Sequence, residues 1–250
     1  MDVCYTSIAI TIKKRITMGL YDRDYARGNA FGYEGAGRSE AQIVSFVKET
    51  YKLFAASMMA GAVGAYVGIP MAAAIHANFW LLFILEIGLL IGLHFVKHKP
   101  GINLAVMFAF TFMTGITLAP LLAHTLAISG GGAIIGNAFA MTSVIFGGMS
   151  FFAIKTTKDF TGYGKPLMIA LVVVIIGSLL NIFLLQSPIL HILIQGAVVM
   201  LFSVLVVYDT QNIMRGAYET AIEGAIALYL DFLNIFTALL QLFGIFGGED

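Results

Sequence analysis

Tyr208-Asp209-Thr210-Gln211 closes one long apolar run, and Tyr229-Leu230-Asp231-Phe232-Leu233-Asn234 sits inside the next. Two carboxylates are thereby placed at the depth of a membrane. A charged group in hydrocarbon costs several kcal/mol or more unless it is paired, hydrated or protonated, so an intramembrane acid is a functional-site hypothesis by default. The rest of the chain reads as apolar scaffold that brings these acids together.

The composition requires a membrane. With 59% hydrophobic and 11% charged residues and a mean hydropathy of +0.91, the chain has too little polar surface to cover a water-soluble globule. Leu53 to Leu85, Pro100 to Ile154 and Pro166 to Tyr208 contain no Asp, Glu, Lys or Arg, and each exceeds the ~20 residues a helix needs to cross the bilayer core. Cys4 is the single cysteine, which rules out an intrachain disulfide and a thiolate metal cluster. The start does not read as a signal peptide, because Lys13, Lys14 and Arg15 follow the apolar residues instead of preceding them. Met18, ahead of a polar segment, is a candidate initiator that N-terminal sequencing of the native protein decides.

The fold class expected is an all-α polytopic membrane protein with seven transmembrane helices. Residues 1–44 read as a flexible cytoplasmic tail, 45–244 as the membrane domain and 245–250 as a short C-terminal tail. The spans are expected at about Phe46–Ile69, stopping at Pro70, then Asn78–Val96, Ile102–Ala127, Ala133–Ile154, Pro166–Leu185, Ile189–Asp209 and Ala221–Phe243. Gly61, Gly64 and Gly68 in the first allow close helix approach, for which packing within the bundle is the simpler explanation than dimerisation. Pro120 should kink the third. In the seventh, Gly224, Ala227, Asp231, Asn234, Ala238 and Gln241 recur at steps of three and four, a small and polar stripe ill suited to lipid. That helix is therefore expected at the centre, with a re-entrant or surface helix as the alternative. Threaded with the N-terminus inside, all 14 Lys and Arg fall on one side, which is the positive-inside pattern for a cytoplasmic N-terminus.

The acids set within apolar runs are Glu86, Asp209 and Asp231. Asp209 lies near the cytoplasmic end of its helix, while Glu86 and Asp231 lie roughly 13–16 Å from theirs. If Asp209 and Asp231 meet, two carboxylates in one desolvated site cannot both ionise easily and titrate as a unit, which makes a proton switch. The alternative for Asp209 is an ordinary interfacial acid serving the Arg215 loop. For Glu86, a cation-coordinating or proton-relay role on the same path stands beside a protonated structural carboxyl. His94 and His98 have a zinc-compatible spacing without a third ligand. Gly130-Gly131-Gly132 lacks the Lys-Ser/Thr of a phosphate loop, and the tail is not basic enough for nucleic acid. No cofactor and no metal centre are expected.

Leu85-Glu86-Ile87-Gly88, Gly115-Ile116-Thr117-Leu118-Ala119-Pro120-Leu121-Leu122, Tyr208-Asp209-Thr210-Gln211 and Leu228-Tyr229-Leu230-Asp231-Phe232-Leu233-Asn234 together resemble the bacterial branch of the Bax inhibitor-1 family, also called the transmembrane Bax inhibitor motif or lifeguard family. The resemblance covers about Ser45 to Gly244. It implies a central last helix, and a pH-sensitive calcium leak in the inner membrane gated by two aspartates, matched here by Asp209 and Asp231. Glu86 matches the acid of the family's second helix. Lys97 stands where some members carry a basic latch on the aspartate pair, a point charge in place of an arginine fork. The resemblance also implies, as an alternative to calcium and proton handling, a partner in a membrane-embedded ATP-dependent protease. An intramembrane aspartyl protease is a distant third reading, because Leu228-Tyr229-Leu230-Asp231 lacks the Gly-x-Gly-Asp of those enzymes; no enzymatic activity is expected.

Overall fold

The computed structural model describes residues 38–247. Most of the expected tail, Met18 included, and residues 248–250 lie outside the described residues. Seven helices are long and apolar enough to cross a membrane: Glu40–Ala77, Phe79–Val96, Ile102–Leu126, Gly131–Lys155, Thr161–Leu185, Pro188–Met214 and Ala221–Ile245. The chain is a multi-pass integral membrane protein, and its helices are numbered first to seventh in that order.

The ends of the helices follow from local chemistry. The first begins before the apolar run, at Glu40, because Ser39 and Gln42 make a reciprocal capping box that a hydropathy window does not register. Pro70 does not end this span. It sits in a 3-10 turn, Ile69–Met71, after which helix resumes over Ala72–Ala77; proline at the start of a turn gives up a donor that would have had no partner. The third helix runs on through Pro120 to Leu126. Gly101 and Gly130 have φ of +82° and +70° just ahead of the third and fourth helices, positions that side chains rarely adopt. The fifth ends in a widened turn, Asn181–Leu185, where the Asn181 side chain holds both the N–H and the carbonyl of Ser187.

The sixth helix ends at Met214 in a Schellman motif: Gly216, at φ +64°, donates to the Ile213 carbonyl and Ala217 donates to that of Asn212. The seventh starts at Ala221 on a second capping box, in which Thr220 Oγ1 accepts from the Glu223 N–H and Glu223 Oε2 from the Thr220 N–H. It runs to Gly247, past the expected boundary at residue 244.

The seventh helix is the core. Ala225, Leu228, Ile235, Ala238 and Leu240 are wholly buried, and it packs against the first, fourth, sixth and third helices. Of the expected polar stripe, Gly224, Asp231 and Ala238 are buried while Ala227, Asn234 and Gln241 are half-buried: Gly224 lies against Thr50 of the first helix and Ile213 of the sixth, and Gln241 accepts a hydrogen bond from Gln195 of the sixth. The first and third helices form the tightest pair. A Cβ at Gly64 would collide with the Phe112 backbone, and one at Gly115 with the Gly61 carbonyl, so the small residues of the first helix serve packing within the bundle. The second and fifth helices bury little of themselves, and Leu81, Ile84, Phe95, Val173 and Leu184 on them are exposed. These are lipid-facing residues, since no hydrophobic drive removes them from hydrocarbon.

Candidate functional site

Alternation of seven spans brings Arg38, Lys97, Lys155 and Arg215 to one end of the bundle, termed here the basic end. Asp209 lies five residues before the end of the sixth helix there, and Asp231 ten residues after the start of the seventh. At 1.5 Å per residue the two helices must be offset by roughly 7 Å for these residues to meet. They do meet. Both residues are buried, at 7% and 3% exposure, with their carboxyl groups beside each other. Two carboxyl oxygens hydrogen-bond only through a proton held between them. Asp231 Oδ2 is buried with no hydrogen-bond partner among the described residues.

The turn between these helices supplies a third member. Tyr218 Oη donates to Asp209 Oδ1 at 2.6 Å. Burial first, and the neighbouring Asp209 second, hold the Tyr218 phenol well above its ordinary value, so it remains an O–H donor. The other residues of Tyr208-Asp209-Thr210-Gln211 serve the scaffold. Tyr208 abuts Gly164 at the start of the fifth helix. Thr210 donates to Ser150 of the fourth, and Gln211 ties down the backbone of Lys158 and Phe160 between the fourth and fifth. Arg215 of the turn pairs with Asp159 at 2.9 Å and donates to Thr161 Oγ1.

Glu86 belongs to a different cluster. Its Oε2 accepts from Thr117 Oγ1 at 3.1 Å. The Thr117 hydroxyl also lies 3.0 Å from the Thr114 carbonyl and that of Thr114 2.7 Å from the Thr111 carbonyl, acceptors that compete for the single proton of each, and Thr114 makes a short contact with the hydroxyl of Tyr229. Tyr229 donates in turn to the Thr111 carbonyl at 3.1 Å, beneath Gly61, where a Cβ would meet its hydroxyl. Tyr229 and Asp231 are two residues apart on one helix, hence about 200° apart around it. The seventh helix thus carries Asp231 toward the sixth helix and Tyr229 toward the third. The three acids do not converge: among the described residues no three His, Cys, Asp or Glu side chains stand close enough to hold one metal ion.

Lys97 reaches the turn rather than the aspartates. Its Nζ lies 2.7 Å from Glu219 and 2.8 Å from Glu223, and His98 lies 3.1 Å from Glu219. The hydrogen bonds that Lys97 donates to Glu219 and Glu223 hold it above its ordinary value, and those from Lys97 and His98 hold Glu219 below its own. Sequence reasoning does not find Tyr218, Glu223, Tyr229 or Arg38, whose guanidinium also grips this turn. Two of them carried a signal: Tyr229 lies inside the quoted motif, and Thr220-Ala221-Ile222-Glu223 is a readable capping box.

The model of the family described as inhibitor of apoptosis-promoting Bax1 matches residues 43–248, the whole helical bundle. The chain belongs to the Bax inhibitor-1 family. Its bacterial relatives include a Campylobacter jejuni protein 52% identical over 229 residues, 90% of this chain and 97% of that one. A Helicobacter pylori protein is 47% identical over 233 residues, 93% of this chain and all of its own. The chain is also 35% identical over 156 residues, 61% of its length and 70% of the other's, to the Escherichia coli modulator of FtsH protease YccA.

Proposed function

We propose that this member of the family is a pH-sensitive cation leak, with calcium as the ion carried, in which the Asp209/Asp231 pair is the gate. The observation that supports the reading is a buried carboxyl pair joining the sixth helix to the central seventh. Sharing a proton, the two groups tie the helices together; fully ionised, they repel or recruit a cation. Glu86, on the other face of the seventh helix, is a second polar station, and Lys97 acts on the gate through the turn it pairs with. The basic end faces the cytoplasm of the inner membrane by the positive-inside rule, and the chain has no enzymatic role in this reading. The test is calcium flux into liposomes holding purified protein, stepped from pH 8 to pH 6. Wild type should show a pH-dependent flux that Asp209→Asn/Asp231→Asn loses; a double variant with unchanged pH dependence sinks the gate.

A second reading has its own support. The likeness to the Escherichia coli modulator of FtsH protease makes a membrane-embedded ATP-dependent protease a candidate partner, engaged through the segment ahead of the first helix. Removal of residues 1–37 should then abolish the effect on turnover of a test substrate while leaving flux intact. Turnover indifferent to the segment would exclude it.

A further inference from the structure

The turn over the aspartate pair is held from two sides. Lys97 takes its carboxylates. Arg38, immediately ahead of the Ser39 cap, takes its main chain: Nη1 donates to the carbonyls of Gly216 at 2.7 Å and Tyr218 at 2.9 Å, and Nη2 to that of Glu219 at 2.8 Å. The guanidinium also lies 4.4 Å over the ring of Phe46, which is itself buried. Three carbonyls on one planar fork, stacked on an aromatic face, is a geometry that lysine cannot reproduce. Gly216 completes it, since a Cβ there would sit 3.1 Å from Arg38 Nη1. Between the gripped carbonyls of Gly216 and Glu219, the Tyr218 hydroxyl reaches Asp209.

We infer that Arg38 is a positioning residue for the Asp209/Asp231 site: it fixes the main chain of residues 216–219 so that the Tyr218 hydroxyl stays on Asp209, which makes the entry to the first helix part of the gate. The inference rests on the proposed role of the aspartate pair as a gate. Asp231 and Tyr208 are the other ionisable groups beside Tyr218 and Asp209, while Lys97 and Glu223 hold the far side of the turn. A partner that draws on the chain ahead of Ser39 therefore acts on the gate without touching it.

The test uses the full chain in lipid nanodiscs, as wild type, Arg38→Ala, Arg38→Lys, Tyr218→Phe and the Arg38→Ala/Tyr218→Phe double variant. Hydrogen exchange reports the amides of residues 216–220, and infrared difference spectra report the carboxyl C=O band that Asp209→Asn removes. Arg38→Ala should speed exchange by about tenfold or more and displace the Asp209 band, with Arg38→Lys between it and wild type. Tyr218→Phe should displace the band with little change in exchange, and adding Arg38→Ala to it should move the band no further. Unchanged exchange in Arg38→Ala overturns the inference, as does faster exchange with an unmoved band, or a further band shift in the double variant. A wild type without pH-dependent flux overturns the gate instead, and is told apart because exchange and band positions do not depend on transport.

Discussion

The two faces of the seventh helix carry two polar clusters with opposite degrees of completion. On the Tyr229 face Thr117, Thr114 and Tyr229 each have a backbone carbonyl within reach of their one hydroxyl proton, and Thr117 has Glu86 as a second acceptor. On the Asp231 face two acids share one dry site, with one carboxyl oxygen left over. A satisfied network rigidifies, whereas a partly satisfied one has an alternative arrangement within reach. In the proposed reading the first face is architecture and the second is the switch.

The largest expected effect separates the faces directly. Asp209→Asn/Asp231→Asn should erase the difference between flux at pH 6 and pH 8, while Glu86→Gln, still able to accept from Thr117, should keep it. A Glu86→Gln variant as unresponsive as the double variant would merge the two clusters into one path. Next in size is damage to the first face from behind. Gly64→Ala forces a Cβ into the Phe112 backbone, and overpacking of this kind costs about 1–3 kcal/mol. The apparent melting temperature in detergent should drop by roughly 2–4 °C per kcal/mol, and an unchanged value would mean that the first and third helices separate freely.

Tyr229→Phe is gentler. It removes one buried hydroxyl from a satisfied chain and should cost about 1 kcal/mol, read as a small fall in melting temperature with pH-dependent flux retained. The smallest effect is a null one at the Lys97 clamp. Glu219 is held below its ordinary value, so its contribution is lost only as pH falls through that lowered value; Lys97 is held above its own, so its contribution is lost only as pH rises through it. Between pH 6 and 8 both stay charged. With His98, the imidazole on Glu219, replaced by Gln, hydrogen exchange at Glu219 and Glu223 in Asp209→Asn/Asp231→Asn should therefore be equally protected at either pH, and a pH response there would place a second switch in the clamp.

Apolar run length made seven spans legible before any coordinates, because hydrocarbon thickness fixes how many residues a helix must contribute. The stripe of Gly224, Asp231 and Gln241 marked the central helix for a related reason: lipid tolerates no such face. The start of the first helix escaped because a capping box is polar, and its passage through Pro70 because a 3-10 turn absorbs the missing donor. The aspartate pair was visible as two acids in apolar runs. Its companions were not, since nothing in Arg38 or Tyr218 announces a contact between residues 180 apart in sequence. The family resemblance points to Lys97, but its partners Glu219 and Glu223 are acids of the aqueous turn, which a search for intramembrane charge passes over.

The position of Arg38 also settles where this protein can be cut. By composition the tail runs to about residue 44, yet a truncation there removes the Ser39–Gln42 cap and the three bonds that Arg38 makes to the turn, so any change in transport would be blamed on the tail when the bundle had been altered. Cutting after residue 37 leaves both in place. A single residue thus decides whether a deletion experiment compares the protein with and without its tail, or compares two different bundles.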